Sequence, residues 1–172
     1  MYEINIFDKI KMQLDWAMVY YGIKNDILNI DIAQEFACRK LECDDQLSAE
    51  ELELSWNSSN RLDVLELIKR ILETQGNVQQ RIECAKDIIR IAIIVHLRET
   101  EKDKAKLLEQ IDMVYAEFDY PEDMEKFISY MPHDDEFVSK NHTIDENRNY
   151  LVSKIDDFIK EQQKKYQLEI AV

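Results

Sequence analysis

The stretch RLDVLELIKRILETQGNVQQRIECAKDIIRIAIIVHLR, Arg61 to Arg98, decides the fold. In its first arm Leu65, Ile68 and Leu72 recur at helical spacing, with Asn60 as the opening cap and Gly76 as the stop. The second arm begins near Val78, passes through Ile82 and Ala85, and turns apolar on nearly every side from Ile88 to Leu97. A segment of that kind is a helix packed all round. Its β-branched isoleucines suit a buried strand locally, but the pattern is too long for one. The short connection predicts a helical hairpin with antiparallel arms. The longest uncharged apolar run, Ile91 to Val95, is far short of the roughly 20 residues that cross a bilayer.

Working outward, start and stop signals divide the rest of the chain into further helices. Asp15 can cap a segment from Trp16 towards Tyr21 with Gly22 as its stop, and Asp31 can cap IAQEFACRKL. Ser48 with Glu51, and Thr143 with Glu146, form capping-box patterns. Leu107, Leu108, Ile111, Val114, Tyr115 and Phe118 make a one-sided helix that runs into YAEFDYPEDMEKFISYMP, Tyr115 to Pro132. There Pro121 suits a first helical turn with Glu122 and Asp123 at its positive end, and Met124, Phe127, Ile128 and Met131 form a stripe that Pro132 ends. The final helix turns Leu151, Ile155, Phe158 and Ile159 inward and leaves KEQQKKYQ to solvent. Tyr2, Ile4 and Ile6 alternate, as do Leu168, Ile170 and Val172, so the termini can pair as a small ribbon, although frayed ends or an extension of helix are the favoured readings. The expectation is an all-α fold: one domain over residues 1–172, a compact bundle of about seven helices.

Composition agrees. Only two Gly and two Pro occur in 172 residues, and charged residues reach 34%, which starves turns and favours helices. A chain of this length buries roughly 70% of its unfolded surface. Acidic residues outnumber basic ones 36 to 22, for a net charge of −14. Negative potential repels nucleic acid and anionic membranes and attracts a basic protein. Cys38, Cys43 and Cys84 are odd in number and lack CxxC spacing, and the stretch MYEINIFDKI lacks a basic region followed by an apolar run. A reducing cytoplasm is expected, with Cys38 and Cys84 as buried small hydrophobes.

Three groups of residues carry candidate chemistry. His133 to Glu136, HDDE, offers metal-ligand types, but neighbours in an extended turn seldom converge on one ion. Glu50 with Glu53 and Glu122 with Glu125 each share a helix face, the pattern with which helical nucleotide hydrolases hold magnesium. Ordinary amphipathic surfaces account for both pairs, and no nucleophile motif or phosphate loop is present. No catalytic, cofactor-binding or metal-ligating residue is therefore assigned, and the chain is not expected to be an enzyme. The third group interleaves Tyr115, Phe118, Tyr120, Phe127 and Tyr130 with Glu117, Asp119, Glu122 and Asp123. Its phenylalanines, with Met124 and Ile128, belong to a core. Its tyrosines and acids suit a protein-binding surface, because tyrosine supplies contact area at low entropy cost and carboxylates steer a cationic partner.

YAEFDYPEDMEKFISYMP resembles the signature of an uncharacterised bacterial domain-of-unknown-function family of small acidic helical proteins, and DWAMVYYGIKNDIL, Asp15 to Leu28, resembles that family's first segment. The resemblance implies a bacterial, cytoplasmic, mainly helical protein and carries over no catalytic residue. In general character the family is similar to immunity proteins encoded beside secreted toxins. The leading expectation is an acidic domain that neutralises a cationic toxin or effector by direct binding, through Glu117, Asp119, Tyr120, Glu122, Tyr130, Asp134 and Asp135. The alternatives are a magnesium-dependent nucleotide phosphohydrolase and a structural adaptor in a regulatory complex.

Overall fold

The computed structural model describes residues 1–172 except 9, 11, 12, 44, 45, 57–59, 133–136, 138 and 169–172. Eight α-helices and two 3-10 segments occur among the described residues, so the fold is all-α. The chain divides into two compact units, Met1–Asp8 with Met12–Ile89, and Lys9–Lys11 with Arg90–Val172.

The first unit contains α1 (Asn5–Asp8), α2 (Trp16–Lys24), α3 (Asp31–Glu42), α4 (Ala49–Leu54), α5 (Arg61–Gln75) and the beginning of α6 (Val78–Thr100). Asp15 caps α2 by accepting the Met18 N–H at 2.9 Å. The helix does not stop at Gly22. It continues to Lys24 and ends on Asp26 at φ 59°. Gly22 instead supplies a bare helix face: a Cβ there would lie 2.3 Å from Leu28 Cδ1, and the Ile27 and Leu28 N–H groups donate to the Gly22 carbonyl. Arg61 closes the same helix end by donating to the Ile23 and Lys24 carbonyls, both at 2.9 Å, where a cation meets the negative end of the dipole. Asp31 is the first residue of α3, and the side chain that accepts its N–H is that of Asn29 at 3.3 Å.

Ser48 and Glu51 form the expected capping box of α4. Asn60 caps α5 through the Leu62 N–H, and Gly76 ends it at φ 74°, ψ 173°, a region open essentially to glycine alone. The buried face of α5 is Val64, Leu67, Ile68, Ile71 and Leu72, turned slightly from the predicted stripe so that Leu65 is only half-buried. It packs on α2 and α4, and α4 packs on α3. Tyr2 does not lead a terminal ribbon. Its N–H reaches the Ile27 carbonyl at 2.8 Å in an isolated parallel bridge with Leu28, and the chain then turns into α1. Residues 170 and 172, the other half of that expectation, lie outside the described residues.

The second unit comprises the remainder of α6, α7 (Lys104–Glu117), 3-10 segments at Glu122–Phe127 and Ser139–Asn141, and α8 (Ile144–Tyr166). Asp103 caps α7 through the Ala105 N–H at 2.8 Å, and Thr143 with Glu146 forms the capping box of α8. Leu151, Val152, Ile155 and Phe158 of α8 are buried, and α8 packs on α7 and on the first 3-10 segment. Within the end of α8 predicted to be solvated, Gln162 is buried. Arg98 grips Asp156 with two bonds of 2.7 and 3.0 Å.

Candidate interaction surface

α7 ends in a Schellman turn: the Tyr120 N–H donates to the Tyr115 carbonyl at 2.9 Å and the Asp119 N–H to the Ala116 carbonyl at 3.3 Å. Glycine is the usual residue at such a stop. Here Asp119 and Tyr120 occupy consecutive left-handed positions, φ 63° and 56°, at a cost of about 1–2 kcal/mol for each non-glycine residue. The reversal folds the Tyr120 ring edge-on against Tyr115, centroids 5.2 Å apart at 83°.

Pro121 then caps the Glu122–Phe127 segment, predicted as an α-helix extending to Met131 and found as a 3-10 helix ending at Phe127. In a 3-10 helix residues three apart eclipse, so Met124 and Phe127 descend together, and Ile128 joins them; all three are fully buried. At about 1.5–3 kcal/mol for each such side chain, they root the corner. Phe127 meets Phe158 of α8 at 5.2 Å. Ile128 is extended and the chain then turns at Ser129 and Tyr130, where Asp112 of α7 takes the Ser129 N–H at 3.0 Å and also its hydroxyl. That clasp sets Tyr130 beside Tyr115, 6.5 Å between centroids.

Tyr115 is therefore buried between Tyr120 and Tyr130, which are each 61% exposed. Burial first, then the Glu125 carboxylate, push the Tyr115 hydroxyl above its ordinary pKa; burial, Asp112 and Tyr120 do the same for Tyr130. Both hydroxyls stay protonated donors at neutral pH. Glu117, Asp119 and Glu122 are exposed in the same stretch of chain, and Glu117 and Glu122 have no ion-pair partner among the described residues. Asp134 and Asp135, with the rest of HDDE, lie outside the described residues. Of the predicted surface, the structure thus brings Tyr120 and Tyr130 onto one shared ring and leaves the three acids exposed in the same stretch.

Asp123, expected at a helix's positive end, has a different task. Arg90 is buried and donates through Nη1 and Nη2 to both Asp123 oxygens at 2.7 and 2.9 Å, clipping the 3-10 segment to α6. A lone arginine inside the apolar run IIRIAIIV was the available signal, since a buried cation demands a carboxylate. Tyr115, Asp112 and Ser129 carried no comparable signal, because their roles depend on the turn that joins them.

The other candidate chemistry is held in local structure. Glu53 is exposed and Glu50 half-buried, whereas Glu51 between them is the buried acid of α4. It accepts the Trp16 indole N–H at 2.6 Å, the Ser48 N–H at 2.8 Å and the Lys40 ammonium. Burial alone would raise the Glu51 pKa, but the bonds from Lys40, Ser48 and Trp16 outweigh it and hold the carboxyl below its ordinary value. A cavity of about 270 Å³ beside this cluster is lined by Trp16, Phe36, Lys40 and Arg81. Its two cations are already matched, Lys40 by Glu51 and Arg81 by Asp15 at 3.2 Å. Among the described residues no three His, Cys, Asp or Glu side chains converge as a metal site. Nor is any helix there long and apolar enough to cross a membrane. None of the three cysteines forms a disulfide; Cys38 is half-buried, and Cys84 is exposed rather than buried as predicted.

The family described as an uncharacterized protein conserved in bacteria, DUF2247, matches residues 4–163. No curated protein matches the chain, and no solved structure does.

Proposed function

The chain belongs to the DUF2247 family, and from its tyrosine corner we propose that it is a protein-binding domain for a basic partner. On this reading it is an immunity-type protein of the cytoplasm that neutralises a cationic toxin or effector by direct binding. The observation that carries the reading is the display of Tyr120 and Tyr130, each 61% exposed and each fixed against buried Tyr115. A folding chain gains by hiding such rings. Here the backbone bears left-handed strain at Asp119 and Tyr120 to hold one of them out. Pre-positioned aromatic rings lose little entropy on binding and make good anchors. Glu117, Asp119 and Glu122 in the same stretch, on a chain of net charge −14, favour a cationic partner and speed its approach. Three cysteines outside any disulfide suit a reducing compartment.

The test is co-expression with the cationic product of an adjacent reading frame, scored as growth. Rescue by the natural chain and loss of rescue by the Tyr120→Ala/Tyr130→Ala variant, at equal folded protein, is the expected result. A variant that rescues fully removes the surface from the account. Binding without any rescue would point instead to an adaptor within a larger complex.

A further inference from the structure

The second unit holds a cavity of about 440 Å³ between α7, Ser129 and the start of α8. Leu108 and Leu151 are buried beneath it, and Ile144, 69% exposed, forms an apolar wall. Its polar groups are mostly acceptors. Glu109 has no hydrogen-bond or ion-pair partner among the described residues. Asp112 spends its oxygens on Ser129 yet keeps its charge. Asn147 uses its amide N–H on the Ser139 carbonyl, and its Oδ1 is buried without a partner among the described residues. Arg148 also lines the cavity, but it reaches Asp145 at 3.5 Å and its charge is felt at Asp103. Against its single positive charge Glu109 and Asp112 supply two negative ones, so the lining of the cavity is net negative.

Apolar walls with unspent acceptors and surplus negative charge fit one side chain better than any other. Arginine brings three methylenes, a delocalised cation and five N–H donors with no acceptor. Lysine has a more strongly hydrated head, and an anionic group would meet Glu109 and Asp112. We infer that this cavity is the anchor pocket for an arginine side chain of the basic partner. Its stem lies on Leu108, Leu151 and Ile144, and its guanidinium faces Glu109 and Asp112. The pocket adjoins the tyrosine corner through Asp112, whose charge acts on the Tyr130 hydroxyl. The inference rests on the protein-binding reading and deepens it by specifying the residue that the partner must supply.

The test is a methyl-resolved NMR titration of the full chain with acetyl-triarginine amide, set against the neutral isostere acetyl-tricitrulline amide and against acetyl-trilysine amide. The expected result is saturable shifts of the Ile144 and Leu151 methyls with the arginine peptide. Citrulline should produce none, lysine should bind several-fold more weakly, and Glu109→Gln should raise the arginine Kd about tenfold. Glu109 is exposed and makes no bond in the fold, so its substitution leaves folding intact. Equal response to citrulline or to lysine overturns the guanidinium assignment, and silent methyls overturn the pocket. Shifts confined to the tyrosine rings would sink the pocket while leaving the protein-binding reading standing. A responsive pocket beside a Tyr120→Ala/Tyr130→Ala chain that still rescues growth would sink the tyrosine surface while leaving the pocket standing.

Discussion

Replacing Asp123 by asparagine probes how the tyrosine corner is held. Arg90 has a side chain only 4% exposed, and both its terminal nitrogens bond the Asp123 carboxylate at 2.7 and 2.9 Å. Asparagine keeps the shape and one acceptor, withdraws the charge, and turns an NH2 group towards a guanidinium nitrogen. Breaking a fully buried pair from one side costs roughly 3–5 kcal/mol. The Asp123 side chain is 37% exposed and one bond survives, so water recovers part of that loss and about 2–3 kcal/mol is expected. For a chain of this size that corresponds to a fall in Tm of about 4–12 °C. Urea titration gives the free energy, and amide hydrogen exchange locates the loss; it should concentrate in residues 121–130, which the clip ties to α6. Affinity for a basic partner should fall too, since Tyr120 and Tyr130 flank the loosened segment. The paired Arg90→Met/Asp123→Leu variant should regain most of the stability, because the buried charge goes with its partner. An Asp123→Asn chain within about 0.5 kcal/mol of the natural one, the range of an inconsequential surface change, would refute this account of the corner.

Glu51 makes stability depend on acid. Its folded pKa is held below the ordinary value near 4.5, so its contribution is full above that value and is lost as pH falls through the folded pKa. Glu51→Gln should lower stability at pH 7 and flatten the acid limb, read by urea titration between about pH 3 and 7; an unchanged acid limb would contradict the cluster. Gly22→Ala should cost about 1–3 kcal/mol by overpacking, because the new methyl meets Leu28 at 2.3 Å. Thermal melts that show no loss would mean that Leu28 has room to retreat. Gly76→Ala meets no atom within 4 Å, so its loss, about 1–3 kcal/mol, would come from backbone strain alone. Asn should then lose as much as Ala, because its tolerance of positive φ is confined to the αL region and does not extend to ψ 173°, and an Ala variant that melts with the natural chain would argue against a strain origin.

What was legible in the sequence was whatever depended on near neighbours. Asn60 and Gly76 bracket α5, and the Ser48–Glu51 and Thr143–Glu146 pairs open α4 and α8, because a cap reaches only three residues along its own chain. The all-round apolar run in α6 likewise announced its own burial. Failures came where a distant group decided the outcome. Gly22 read as a stop, yet Leu28 packs against its missing side chain. The alternation at Tyr2 admitted a terminal ribbon beside frayed ends or a helix, and it is the Ile27 carbonyl that takes the Tyr2 N–H. The helix predicted from Pro121 ends early because Asp112, 17 residues before Ser129, captures that residue's N–H. At the candidate surface, the sequence singled out Tyr120 and Tyr130 among interleaved acids. It could not show that both lean on Tyr115, since that needs two left-handed residues in succession without a glycine.

The most direct measurement is the affinity of the purified chain for the proposed partner, the cationic product of an adjacent reading frame, by calorimetry, with and without the Tyr120→Ala/Tyr130→Ala substitutions, at low and physiological salt. Both rings are largely exposed, so the variant should lose only about 0.5–1.5 kcal/mol of folding stability for each aromatic contact removed. The account predicts at least a hundredfold weaker binding on loss of both rings, as removal of two anchor residues implies, and further weakening as salt screens the carboxylates of the same stretch. A folded variant that binds with unchanged affinity and unchanged salt dependence would contradict it.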